Sequence, residues 1–260
     1  MTRGLPALLF GLIAACAALP LAAADKPERT GPAQSFQVTT VEHVAFPPGG
    51  VITLNNSYGN LTVEGWDAPE VEITVTKSTS RFYPPESEVE AERGFDQVRV
   101  TTERRSDKDL AIATTLPLRH GLPFSLFPSG RFLVTMPKIS HQGVMLEYTV
   151  HAPRDSRIVI HHDFGYVWVG DIKGDIEVDS HTGDMVVMLP DPGPYSVDAK
   201  TGMGSISSDV MGRGNKRYIV GSHFVHGAQS PAKRVVLRMG RGCITIKTGP
   251  PSGPAYKEGL

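Results

Sequence analysis

The residues of this sequence most able to do chemistry are crowded into one stretch, HHDFGYVWVGDIKGDIEVDSHTGDMVVML, at residues 161–189. It holds three histidines, five aspartates and one glutamate. Imidazoles and carboxylates transfer protons as general acids and bases, and both can bind zinc. The stretch could therefore be an active site or a metal site, unless the same residues belong to the turns of a repeated scaffold.

Glycine spacing favours the scaffold. Gly165, Gly174 and Gly183 are nine residues apart. The residues two and four places after each glycine are apolar or nearly so: Val167, Val169, Ile176, Val178, Met185 and Val187. Such alternation predicts short strands with one apolar face, and a glycine between two strands permits the positive φ of a tight corner.

The same frame returns outside this stretch. The frame consists of an apolar pair, four variable residues, a glycine and a second inward pair. It is also found over residues 52–63 and 235–246, and in a weaker form over 197–208. A frame with five fixed positions that recurs six times is typical of a β-repeat, in which each unit buries its apolar side against its neighbours.

The frame assigns most of the chemistry-bearing residues to turns. We expect a turn in the four residues before each corner glycine, where polar residues favour tight backbone geometry. These turn residues include His161, His162, Asp163, Asp179, Ser180 and His181. Glu177 lies between two inward residues and is predicted to point outward. We therefore predict a structural role with no metal and no other cofactor. The alternative is a metal site formed by His162 and His181 from neighbouring coils.

Sequence signatures of catalysis are missing. The chain has no G-x-S-x-G nucleophile motif, no H-E-x-x-H zinc motif and no glycine-rich phosphate loop. We expect no enzyme activity and assign no catalytic residues. Carboxylate pairs that cleave glycosides are matched in space and not in sequence. A carbohydrate-active enzyme on a β-helix scaffold therefore stays as the alternative function.

The first 24 residues indicate export. One early cation, Arg3, precedes an uncharged apolar run that ends in Ala22-Ala23-Ala24, as in a cleaved signal peptide. Ile13-Ala14-Ala15-Cys16 resembles a bacterial lipobox, so a lipoprotein anchored at Cys16 is an alternative. A retained membrane anchor is a third possibility. We expect a periplasmic or cell-surface protein with no transmembrane span in the mature chain.

Composition points to an all-β protein that does not bind nucleic acid. The chain has 26 basic and 27 acidic side chains, whereas nucleic-acid-binding proteins usually carry a basic excess. Its 27 glycines and 21 prolines favour many short elements joined by turns. We predict a linker at 25–36, one β-repeat domain at 37–249 with one short surface helix near 85–93, and a disordered tail at 250–260.

Four pieces of the sequence together resemble the DUF4097 family of adhesin-like domains. They are NNSYGNLTVEGWDAPEVEITVTKS (55–78), AERGFDQVRVTTERRSDKDLAIATT (91–115), YTVHAPRDSRIVIHHDFGYVWVGDIKGDIEVDSHTGDMVV (148–187) and VVLRMGRGCITIKTG (235–249). The resemblance implies a β-solenoid-like stack, or parallel β-helix, in an exported bacterial envelope protein. It implies no catalytic residues and agrees with a binding or scaffold domain. The nine-residue period alone equally fits an antiparallel β-sandwich; the resemblance favours the solenoid.

One segment, the insert at 116–143, departs from the frame. Residues 110–146 contain no Asp or Glu, while cations and phenylalanines are frequent. The insert either covers the stack or forms a cationic, apolar contact surface for an envelope polymer, a glycan or an anionic lipid surface. The residues of that contact surface would be Arg119, Phe124, Phe127, Arg131, Phe132 and Lys138.

Overall fold

Strands dominate the computed structural model, which describes residues 34–80, 82, 84, 88–116, 118–119, 124–125, 133–134, 138–139, 143–190, 195–210, 212–216, 221–227 and 233–249. The elements are β1 Gln37–Ala45, β2 Val51–Asn56, β3 Asn60–Trp66, β4 Glu70–Thr79, α1 Glu88–Asp96, β5 Arg99–Ser106, β6 Asp109–Thr115, β7 Leu118–Arg119, β8 Phe124–Ser125, β9 Leu133–Val134, β10 Lys138–Ile139, β11 Val144–Pro153, β12 Arg157–Phe164, β13 Val167–Gly170, β14 Ile176–Thr182, β15 Met185–Leu189, β16 Tyr195–Met203, β17 Ile206–Ser208, β18 Arg213–Lys216, β19 Ser222–His226, β20 Lys233–Arg241 and β21 Ile244–Thr248. The predicted all-β class is confirmed.

Two mixed sheets share one core. The eight-stranded sheet has the order β1-β4-β11-β3-β13-β15-β21-β17, and the nine-stranded sheet has the order β18-β19-β16-β20-β14-β12-β2-β6-β5. The central strands pair in parallel. Antiparallel pairs stand at both ends of the nine-stranded sheet and at the β1 end of the eight-stranded sheet, whereas the end strand β17 pairs with β21 in parallel. The fold thus combines the parallel stacking of a solenoid with the two facing sheets of a sandwich.

The sheets are built from layers, each with one strand in either sheet. In spatial order these layers are β6/β11, β2/β3, β12/β13, β14/β15, β20/β21 and β16/β17. The β20/β21 layer is last in the chain but lies between two earlier layers. The 116–143 insert joins β6 to β11, so it replaces the short corner of the first layer.

The one helix among the described residues packs against the end of this stack. It was predicted at 85–93 and is found at Glu88–Asp96, where Ala91 and Phe95 are buried. Lys77 donates hydrogen bonds to the carbonyls of Phe95 and Val98, at 3.0 and 2.8 Å. A cation at this position satisfies carbonyls at the C-terminal end of the helix.

The predicted inward residues form the core. Val167, Val169, Ile176 and Val178 are all fully buried. Glu177 points outward as predicted, and its carboxylate accepts a hydrogen bond from Arg157 at 3.1 Å. The period-2 assignment of faces is therefore confirmed for these two layers.

The glycine corners set how closely the layers approach. Gly59, Gly165, Gly183, Gly242 and Gly204 have φ values between 110° and 142°. The N–H groups of the first four donate to the next layer, for example Gly165 to Thr182 and Gly183 to Arg241, both at 3.0 Å. A Cβ built on Gly183 would overlap the carbonyl oxygen of Gly165. A side chain here would therefore push neighbouring layers apart.

Two of the turn aspartates hold adjacent layers together. Asp175 accepts a hydrogen bond from the N–H of Arg234, and Asp184 accepts one from the N–H of Cys243, each at 2.9 Å. Both carboxylates thus satisfy backbone donors of the neighbouring β20/β21 layer. This agrees with a structural role, although the sequence did not reveal which groups they would bind.

The turn assignment was wrong for all six residues, because β12 and β14 continue to the residue before the corner glycine. His161, His162 and Asp163 lie in β12, and Asp179, Ser180 and His181 lie in β14. Alternation then points His162 and Ser180 inward, with exposed fractions of 2% and 0%. His161 and His181 are exposed, as expected. His162 and His181 therefore lie on opposite faces, and the described residues contain no cluster of three or more His, Cys, Asp or Glu suited to a metal.

His162 belongs to a polar row inside the core. It lies between Asn56 and Ser180 in register. Four polar side-chain atoms of this row are buried without a hydrogen bond of normal geometry to described groups: Nδ2 of Asn56, Oγ of Ser180 and both ring nitrogens of His162. Burial lowers the pKa of His162 to about 4, although Asp163 and nearby backbone groups partly oppose the shift. The imidazole is therefore neutral at pH 7.

The first prediction concerns pH. The unfolded chain binds a proton at His162 near pH 6.5, whereas the folded chain does so only near pH 4. The free energy of unfolding should therefore fall as pH drops through this window, by at most about 3 kcal/mol from this residue. Urea unfolding at several pH values measures it. His162→Gln should flatten the slope and the exposed control His181→Gln should not; equal slopes in all three proteins would contradict the prediction.

The second prediction concerns the corners. Gly183→Ala should cost more than about 4 kcal/mol or prevent folding, because positive φ and a backbone clash act together. Gly249→Ala is the matched control, since Gly249 has φ 128° but open space around its Cα. It should cost about 1–2 kcal/mol from backbone strain alone. Equal losses, measured by urea unfolding, would show that close layer contact is unimportant.

Candidate functional site

An exposed groove lies where the first three layers turn their corners. Its volume is about 180 Å³. It is lined by Tyr58, Gly59, Asn60, Met145, Leu146, Glu147, Phe164 and Gly165. We call it the corner groove. Glu147 is the single charged residue among those that line it.

Layer stacking creates the aromatic wall of this groove. Tyr58 and Phe164 each precede a corner glycine in adjacent layers, so the repeat brings them side by side. Their rings stack with centroids 5.8 Å apart and planes within 8°. Burial raises the pKa of Tyr58, so its hydroxyl stays protonated at neutral pH. The frame predicted turns at these positions, but it did not predict that two turns would place aromatic rings together.

The groove keeps apolar surface in contact with solvent. Phe164 is 53% exposed and Met145, across the groove, is 40% exposed. Exposed aromatic and methionine side chains that converge in a concave place are typical of binding sites. Asn60 is less available, because its side chain accepts a hydrogen bond from the N–H of Tyr166 at 3.3 Å. The arrangement can accept an apolar or flat group, with Glu147 as a hydrogen-bond acceptor.

The insert at 116–143 ends beside this groove. Leu116 is buried at the end of β6, and the first residues of β11 line the groove. Within the insert, Lys138 of β10 is the register partner of Arg119 of β7. Two of the three cations of the predicted contact surface are therefore cross-strand neighbours in the backbone.

The other residues of the predicted contact surface are only partly placed. Phe124 of β8 pairs in register with Val134 of β9. Phe127, Arg131 and Phe132 lie outside the described residues. The structure therefore brings Arg119 and Lys138 together, and the joint surface of all six residues stays a prediction.

Residues of the 161–189 stretch line a second cleft. It is bordered by His161, His162, Asp163, Asp179, Ser180, His181 and Gly240. Asp163 and Asp179 are both exposed. A general acid for glycoside cleavage instead needs surroundings that keep a carboxyl group protonated, such as an apolar pocket. The two aspartates lack such surroundings.

A row of imidazoles and carboxylates crosses the outer face of the eight-stranded sheet. The register places His43, Glu72, His151 and Glu64 on four adjacent strands. His151 contacts Glu72 through Nδ1 at 3.0 Å and stacks on Trp66 with centroids 5.3 Å apart. No sequence pattern predicted this row, because β1, β4, β11 and β3 are adjacent in space but not in chain order.

A similar arrangement lies on the nine-stranded sheet. Asp198 accepts hydrogen bonds from Arg238 at 2.6 Å and from His223 at 2.9 Å. The Arg238 guanidinium, helped by His223, holds the pKa of Asp198 below its usual range. These partly exposed pairs join strands across the sheet, and surface pairs of this kind contribute little to stability.

Comparison with known proteins gives no family assignment. No family model matches the chain, and no curated protein matches it. A proposed cell adhesion protein from Clostridium sporogenes is similar in structure at 12% identity and a TM-score of 0.43, over 83% of this chain and 100% of the other. A proposed adhesin from Bacteroides fragilis has 9% identity and a TM-score of 0.26, over 81% and 97%.

A third solved structure has a different description. It is a proposed lipid-binding protein from Parabacteroides distasonis, with 9% identity and a TM-score of 0.21 over 81% of this chain and 96% of the other. All of these TM-scores are below 0.5, so the likenesses carry no argument about function.

Proposed function

We propose that this chain is a non-catalytic, exported, adhesin-like binding or scaffold domain of the bacterial cell envelope, which holds its partner in the corner groove. The observation that carries the proposal is the stacked pair Tyr58 and Phe164, with Phe164 and Met145 left exposed across the groove. A core aromatic would be covered, whereas this one presents a ring to solvent at a concave site. Such a site favours a ligand with an apolar face.

The insert supplies the charge that the groove lacks. Residues 110–146 contain no carboxylate, and Arg119 and Lys138 occupy opposed register positions. Like charges at opposed positions of an antiparallel pair destabilise it. An anionic partner would remove this cost, and each cation near an anionic surface contributes about 1 kcal/mol of attraction. We therefore extend the contact surface to Arg119, Phe124, Phe127, Arg131, Phe132 and Lys138.

The partner that fits both parts is amphipathic and anionic. An apolar face would lie on Phe164, phosphate or carboxylate groups would meet the insert cations, and hydroxyl groups could donate to Glu147. Lipid headgroups with part of their acyl chains meet this description, and so do anionic glycans of envelope polymers. Nucleic acid does not fit, because the chain has no basic excess.

Export is part of the proposal. Residues 1–24 would serve as a signal peptide and place the domain in the periplasm or on the cell surface; the alternative is a lipid anchor at Cys16. Those residues lie outside the described part of the chain. Among the described residues, no helix is long and apolar enough to cross a membrane.

A carbohydrate-active enzyme is the second candidate, and one observation favours it. Asp163 and Asp179 line the same cleft with three histidines. If this cleft were catalytic, Asp163→Asn and Asp179→Asn would each abolish release of reducing sugar from an envelope glycan. On the binding proposal the wild-type protein releases none.

The third prediction tests the contact surface. Reversing Arg119, Arg131 and Lys138 to Glu should abolish sedimentation with phosphatidylglycerol vesicles or with anionic cell-wall polymer, because the attraction becomes repulsion. A matched control reverses three exposed cations elsewhere, Lys108, Lys173 and Lys247, for the same change in net charge. The control should keep most of the binding at 0.15 M salt, where charges beyond about 8 Å are screened.

Phenylalanine variants decide between a contact surface and a cover. If Phe124, Phe127 and Phe132 contact the partner, changing all three to Ser should weaken binding at every salt concentration and leave the melting temperature nearly unchanged. If the insert covers the stack, the same change should cost several kcal/mol of stability. A phenylalanine variant that unfolds, together with a charge-reversed variant that still binds, would end the proposal for the insert.

A further inference from the structure

The two sheets end in four edge strands, and three of them are protected against pairing with another chain. β17 has three residues, so it offers few backbone groups. β18 has four residues and carries Arg213 and Lys216. β5 carries Arg99, Arg104 and Arg105 and has a register shift between Arg104 and Ser106. Short length, cations and bulges are the usual devices that keep a sheet edge from recruiting a further strand.

The fourth edge strand, β1, has none of these devices. It is nine residues long, QVTTVEHVA, and pairs with β4 without a break in register from Gln37 to Ala45. It contains no Lys, Arg or Pro, and five of its nine residues are Val or Thr, which favour strands. Val38 and Val41 are 41% and 55% exposed. The strand is therefore long, regular and apolar for an edge.

The hydrogen bonds at both ends of β1 show which of its backbone groups face away from β4. Phe46 donates to the carbonyl of Pro69, and Thr79 donates to the carbonyl of Phe36, both at 2.9 Å. Bonding alternates along an antiparallel strand, so the even-numbered residues face β4 and the odd-numbered residues face away. Ala45 agrees with this, because its carbonyl accepts a bond from the Arg104 side chain. Thr39, Val41 and His43 therefore present N–H and C=O groups that no described residue satisfies.

The sequence of β1 is complementary to itself. In an antiparallel pair of two copies centred on Val41, Val41 faces Val41 of the second copy and Val38 faces Val44. Glu42 faces Thr40, and His43 faces Thr39, so no like charges meet. Valines opposite valines are favourable cross-strand pairs. The backbone groups of odd-numbered residues face away from β4. The two-fold axis therefore passes through the pair of Val41 residues, whose backbone groups can bond to each other.

From these observations we propose that β1 is a homodimerisation edge, at which a second copy of this chain adds its own β1 in antiparallel register centred on Val41. The eight-stranded sheet then continues across the two-fold axis into the partner. The corner groove lies between β11, β3 and β13 and away from β1, so the dimer presents two grooves and binds a surface with two contacts.

Analytical ultracentrifugation of the purified protein between about 1 and 100 μM tests the proposal. The wild type should be a dimer in this range. Val41→Lys places two lysines opposite each other, and the dissociation constant of the dimer should rise about tenfold or more. The variant keeps its fold, because Val41 is exposed, and its melting temperature checks this.

Thr40→Lys is the matched control. It adds the same charge one residue away, on the other face of the strand, where the register places it opposite Glu42 of the second copy. Its dimer should be as stable as that of the wild type, or more so, at low salt. A wild-type monomer over the whole range would overturn the proposal. Equal weakening by both lysines would overturn the register centred on Val41.

Discussion

The structure depends on the close contact of adjacent layers at their glycine corners. The N–H groups of Gly59, Gly165, Gly183 and Gly242 each donate to a backbone carbonyl of the layer on one side. A Cβ at Gly165, Gly183 or Gly242 would overlap the backbone of the layer on the other side. Because this spacing is fixed at the corner, the strands on both sides continue in register. The apolar residues two and four places after Gly59, Gly165, Gly183 and Gly242 are then fully buried in all four layers, which produces one continuous core.

The same constraint positions the candidate site. Residues that precede corner glycines stand one above the other, and in two successive layers these residues are Tyr58 and Phe164. The first layer has no glycine corner, since 28 residues at 116–143 join its two strands. Its β6 and β11 strands are held together instead by a buried hydrogen bond of 2.9 Å between Thr114 and Tyr148. The aromatic groove therefore lies beside the start of β11, where the segment that replaces the glycine corner of the first layer ends.

Much of the repeat could be predicted from sequence, because alternation and glycine spacing report local geometry. Val167 and Ile176 were predicted inward and Glu177 outward, and the structure agrees. His162 was misplaced, because the frame does not show how far a strand continues before its corner; one residue of extra strand moves a side chain from solvent into the core. Neither the composition nor the residue spacing of the sequence predicted that His162 would be buried beside Asn56 and Ser180.

The pairing of strands that are distant in the chain could not be predicted from the sequence. The β20/β21 layer inserts between two earlier layers, and the four-strand row from His43 to Glu64 joins segments that are up to 108 residues apart. Neither follows from local pattern, because pairing between distant strands is decided by the whole core. The exposed edge at β1 likewise depends on which strands the whole fold leaves without a second partner.

Native-state amide hydrogen exchange of the corner glycines tests the layer contact most directly. If the inter-layer bonds hold the stack together, the N–H groups of Gly165, Gly183 and Gly242 should exchange only through global unfolding, as slowly as the core amides of Val167 and Val178. Exchange at the rate of exposed turns such as Gly49 would contradict this account. The corners would then be ordinary loops, and something else would fix the register of the layers.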